Sequence, residues 1–114
     1  MNTIFIVTEA NATVATGHLM ECIVCAEELM ESGYDVSFWI NDDMEEGLKK
    51  RIPCMFWEYH ISIENDYEML LKEICKTHPN AVLFNLRELS EKFSKICRKA
   101  IDKTISIICI DEFG

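Results

Sequence analysis

The sequence predicts an α/β domain: a five-stranded parallel sheet with helices on both faces, in a three-layer, Rossmann-like arrangement. Three observations carry that expectation. Short β-rich runs alternate along the chain with segments of helical period. The first and fourth runs, "TIFIVT" and "AVLFN", are almost wholly apolar, as strands covered on both faces are. The length of 114 residues suits one domain, residues 1–114, and 49% hydrophobic content is enough for a real core.

Taken in order, Thr3–Thr8 reads as the first strand. From His18 to Ser32 the period changes: Leu19, Ile23, Ala26 and Met30 recur at helical spacing, with glutamates between them. Gly33 stands where a left-handed residue would end that helix. Tyr34–Ile40 alternates and reads as the second strand. In "NDDMEEGLKKRI" an acidic start at Asn41–Asp43 and a basic end at Lys49–Arg51 complement a helix dipole. Pro53–Tyr59 reads as a third, aromatic strand, with Phe38, Trp39, Phe56 and Trp57 as strand core and His60 as a solvated loop residue after it. Asn65 or Asp66 caps a helix carrying Tyr67, Leu70, Leu71 and Ile74 to Lys76. His78-Pro79-Asn80 is a turn, and Ala81–Asn85 is the fourth strand, expected at the centre of the sheet. "ELSEKFSKICRKAID" is a fourth helix, Thr104–Ile110 a fifth strand, and "DEFG" ends the chain.

Net charge is -9 and no basic stripe is present, which argues against a nucleic-acid partner. The N-terminus lacks the basic and apolar regions of a signal peptide, and no apolar run approaches a membrane span. The expected compartment is the reducing cytoplasm, with most of the six cysteines as small core hydrophobes. Cys22-Ile-Val-Cys25 has no second pair to complete a zinc site and falls inside a helical pattern. Cys75-Lys-Thr-His78 is read as a chance spacing at a helix end. No metal and no cofactor are expected.

Several α/β designs share this alternation. A phosphoacceptor receiver needs an acidic cluster after the first strand and a lysine after the fifth; here Glu9 stands alone and "DEFG" has no lysine. A dinucleotide fold needs GxGxxG after the first strand, where this chain has the single Gly17. A flavodoxin-type phosphate loop wants several Ser, Thr and Gly residues there, and "TEANATVAT" is partly of that kind.

The stretch "EANATVATGHLMEC" delivers a histidine to the first turn of a helix after a long small-residue loop. With its flanks it resembles the opening of the nucleotide-sugar hydrolases of the pseudaminic acid pathway and of the related spore-coat polysaccharide biosynthesis proteins. The matching residues are Gly17, His18, Met20, Cys22, Ala26, Leu29 and Gly33. "PNAVLFNLRELSEKF" and "ISIICIDEFG" resemble the same family's fourth and fifth strands. The resemblance implies the N-terminal half of a glycosyltransferase-B architecture, with the nucleotide-binding C-terminal domain absent. The departures are Ala15 for the first glycine of the motif, Glu21 for an arginine, Val7 and Glu9 for an arginine and an aspartate, and Asn85 for an aspartate.

The resemblance implies His18 as general base, activating water for attack on the anomeric carbon of a UDP-linked sugar. Glu9 or Asp111, at other strand ends, would orient the ring, and Thr16, Gly17, Asn85 and Glu112 would contact substrate. The chemistry is reasonable, since histidine titrates near neutral pH and a helix N-terminus favours the neutral imidazole that a base requires. The other reading of His18 is a residue that caps or packs at the helix start. Two functions therefore stay open. One is the sugar-side domain of a nucleotide-sugar hydrolase or glycosyltransferase-like protein, completed by another domain or chain and little active alone. The other is a non-catalytic module that docks a protein or a small ligand, with self-association as one way to cover an exposed face.

Overall fold

The computed structural model describes residues 2–9, 17–44, 46–53, 55–61, 67–85, 95, 98–99 and 103–109. The β-branched and aromatic residues of Thr3–Thr8 form β1, which is buried from Ile4 onward. Its side chains alternate between two cores. Ile4 and Ile6 enter one apolar cluster, and Phe5 and Val7 enter the other.

Helix α1, Gly17–Glu31, turns Leu19, Cys22, Ile23 and Ala26 into the first cluster, the i, i+3, i+4, i+7 stripe of an amphipathic helix. Gly33 ends it as expected, with φ +97°. The Tyr34 N–H donates to the Leu29 carbonyl and the Gly33 N–H to the Met30 carbonyl, both at 3.0 Å. These are the two bonds of a Schellman cap, and they return the chain directly to the sheet.

Strand β2 is Asp35–Asn41, one residue later than the sequence suggests. That single residue reshapes the segment after it. Asn41 belongs to the sheet rather than to a helix start, and its amide donates to Asp43 at 2.6 Å while its carbonyl accepts the Met44 N–H at 3.2 Å. The resulting turn uses up the acidic segment, so the expected second helix shrinks to a single turn, α2, Glu46–Lys49. Met44 and Leu48 seal the first cluster beside it.

The third strand also differs from expectation. β3 spans Trp57–Ile61 rather than starting at Pro53. Pro53 has no N–H to give a sheet, and its carbonyl instead accepts the Phe56 N–H at 3.1 Å in a turn. Phe56 drops into the first cluster and meets Phe38 edge-on, ring centres 5.4 Å apart. Trp57 then stands 74% exposed, not in the core, and His60 lies within the strand, not after it.

Helix α3, Tyr67–Thr77, buries Leu70 and Ile74 in the second cluster. The expected cap at Asn65 or Asp66 lies outside the described residues. His78 ends the helix in a left-handed conformation, φ +53°, its N–H donating to the Ile74 carbonyl at 2.8 Å, and Pro79 blocks continuation. Strand β4, Ala81–Asn85, is buried throughout. Of the expected fourth helix only Lys95, Arg98 and Lys99 are described, each helical. Strand β5 is Ser106–Cys109, starting two residues later than expected, while Ile110 lies outside the described residues. Its N-terminal approach is spent differently: the Thr104 hydroxyl lies 3.2 Å from His78 Nε2.

The sheet runs β3-β2-β1-β4-β5, and each of the four pairings is parallel. Helix α1 packs on the face of Ile4, Ile6, Val36 and Phe38, and α3 on the face of Phe5, Val7, Val82 and Phe84. This is the expected Rossmann-like α/β arrangement. The chain steps outward from β1 through β2 to β3, then crosses back to lay β4 on the other side of β1, so the strand order reverses between β1 and β4. In open α/β sheets that reversal opens a crevice beyond the carboxyl ends of the strands.

Candidate functional site at the sheet's carboxyl edge

β1 and β4 finish side by side, with Thr8 in register with Asn85. The residue after β1 is Glu9, half-buried. Helix α1 starts on the same edge, with Gly17 its first residue and His18 its second. The backbone therefore brings the His18 turn to the β1/β4 reversal, where the N–H groups of a first helical turn and the positive end of the dipole favour an anionic ligand. The His18 side chain lies outside the described residues, as do Thr16, Asp111 and Glu112 altogether.

Beneath that edge is a buried polar cluster. The Thr8 hydroxyl donates to the Asn85 carbonyl at 3.0 Å. The Asn85 amide donates to Cys22 Sγ at 3.5 Å, within range for a sulfur acceptor. Thr8 and Asn85 are fully buried and Cys22 is 1% exposed. Asn85, expected among the substrate contacts, thus turns its side chain under the edge toward α1. Burial pushes the Cys22 thiol up to about 11, against the smaller opposing pull of the Asn85 and Thr8 hydrogen bonds. Cys25 is also raised, mainly by burial and then by Glu28. Neither cysteine is bonded to another.

Sequence reasoning singles out Gly17 and His18, takes Cys22 for a motif match and a packing residue in a CxxC spacing, and passes over Thr8. One signal is available. Cys22 follows His18 by four residues, so the two share a face of α1.

On the other flank, Tyr59 stacks on Trp39, centres 4.2 Å apart and planes within 11°. Trp39 is fully buried, and its indole Nε1 meets no acceptor among the described residues. His60 Nε2 lies 3.3 Å from Glu58 Oε1. Among the described residues no three His, Cys, Asp or Glu side chains gather as metal ligands, and no helix is long and apolar enough to cross a membrane.

Fold and edge together define the class: a Rossmann-like α/β domain with a strand-order reversal at the N-terminus of its first helix. Beyond that class, comparison with known proteins finds no matching family model, no matching curated protein and no matching solved structure.

Proposed function

We propose that this domain binds a sugar or nucleotide-sugar over the β1/β4 ends, as the sugar-side half of a hydrolase or glycosyltransferase-like protein of surface polysaccharide synthesis. The observation that carries the reading is the placement of the Gly17-His18 turn at the strand-order reversal. In hydrolysis His18 accepts a proton from water as the water oxygen bonds to the anomeric carbon. The bond from that carbon to the diphosphate oxygen breaks, and the nucleoside diphosphate leaves with the electron pair. Glu9, the residue after β1 on the same sheet edge, is the described carboxylate assigned to orient such a base. A second domain or chain supplies the grip on the nucleotide.

One observation favours the alternative, a small-ligand or protein-binding module without catalysis. The polar groups of Thr8 and Asn85 are spent on each other and on Cys22. Calorimetric titration with UDP-sugars and free amino sugars, paired with a hydrolysis assay, separates the two readings. The enzymatic reading expects binding in both the native chain and His18→Ala, with a slow turnover in the native chain that is lost in the variant. Binding without turnover in either chain supports the module, and absence of binding to any of these ligands removes both small-ligand readings.

A further inference from the structure

We infer that the outer edge of β3 is a self-pairing surface, at which two copies of the chain join antiparallel about a two-fold axis through Tyr59. β3 is an edge strand, partnered only by β2 among the described residues. An unpaired edge is a template for another strand unless something blunts it. At the opposite edge, the Arg98 guanidinium sits on the Ile107 carbonyl of β5 at 3.3 Å. β3 instead offers apolar area: Trp57 is 74% exposed and Tyr59 36% exposed, both on the face that carries Trp39. The Trp39–Tyr59 stack holds Tyr59 rigidly, so little side-chain freedom remains to be lost on pairing.

The strand reads Trp-Glu-Tyr-His-Ile, and its order identifies the occupant as a second copy. A two-fold axis at Tyr59 sets Tyr59 against itself, Glu58 against His60 of the other copy, and residue 57 against residue 61. Glu58 of each copy then lies opposite the His60 of the other, whose ring can donate to the carboxylate, a pairing of the kind that stabilises antiparallel ladders. Moving the axis to residue 58 opposes two glutamates, and moving it to residue 60 opposes two histidines. The Glu58–His60 pairing therefore favours the register centred on Tyr59. Within the single chain Glu58 and His60 face each other at 3.3 Å along the strand, and both are part-exposed and within reach of a partner. The two-fold makes the contact isologous and closed, so association stops at the dimer. Two five-residue edges, each about 17 Å long, make a small interface, so the association is a weak, reversible one. The charge of -9 on each copy opposes their approach, so the measurement belongs at about 0.15 M salt, where that repulsion is screened beyond about 8 Å.

Sedimentation of the full chain over a concentration series tests this. The native chain should show a reversible monomer–dimer equilibrium. His60→Glu, which opposes carboxylates at both ends of the pairing, should weaken it at least about tenfold, since like charges directly opposite are destabilising. Adding Glu58→Lys to that variant restores opposite charges and should restore the dimer. Circular dichroism verifies that each variant is folded, and both positions are part-exposed. A native chain that stays monomeric at every concentration overturns the inference. So does a His60→Glu chain that dimerises as well as the native one, or a double variant no better than the single.

Discussion

Alkylating reagents should reach Cys75 and Cys109 long before Cys22. The first two thiols are exposed, whereas Cys22 is 1% accessible and lies under the carboxyl edge of the sheet against Asn85. Burial raises its pKa from 9.0 to about 11. The thiolate is the reactive form, so two units mean about a hundredfold less of it at neutral pH. Restricted access adds to that factor. The same shift has a stability consequence with a definite sign. The folded chain holds the neutral thiol, while the unfolded chain ionises as pH passes 9.0. Stability from this site is thus complete below that value and is lost as pH rises toward about 11, with an upper bound of ~2–3 kcal/mol. The assay is a mass-spectrometric labelling time course, paired with urea melts at neutral and alkaline pH for the native chain and Cys22→Ser. Other groups titrate in that window, so the difference between the two chains is the quantity of interest. Labelling of Cys22 at nearly the rate of Cys75 would refute the reasoning, as would identical alkaline losses in the two chains.

Gly33→Ala should destabilise the fold by about 1–2 kcal/mol in urea melts. Its φ is +97°, yet nothing lies within 4 Å of an added Cβ, so the cost is purely conformational. An unchanged melt would mean that the Schellman cap is not kept in solution. Trp39→Phe should cost less than about 1 kcal/mol, because the lost volume is offset by removal of a buried indole N–H without an acceptor among the described residues. A loss above about 3 kcal/mol, the range of full truncations, would show that Nε1 is satisfied.

The parts of the fold legible in the sequence are those with local causes. β1 and β4 are short apolar runs, and α1 combines a clear period with a glycine that only a C-terminal cap requires. The misread parts are decided by distant contacts. An aromatic run has no period to separate a turn from a strand. Phe56 is drawn from β3 by its packing on Phe38, which leaves Trp57 outside the core. Asn41 carries helix-start chemistry but pairs with Ile61 in the sheet, so the helix loses its first turn. The site divides in the same way. Gly17 and His18 form a local signature, whereas the Thr8–Asn85 bond joins residues 77 apart and leaves no trace in spacing. Asn85 is expected as a ligand contact because the resemblance sets it where the family has an aspartate; only packing reveals that its amide donates to Cys22.

The most direct measurement is an amide chemical-shift map of the chain titrated with a UDP-sugar and, separately, with a free amino sugar. Binding at the strand-order reversal predicts saturable shifts concentrated at Thr8, Glu9, Gly17, His18 and Asn85, with β3 and α3 unmoved. Saturable shifts centred on any other surface, or an unchanged spectrum with both ligands, would contradict it.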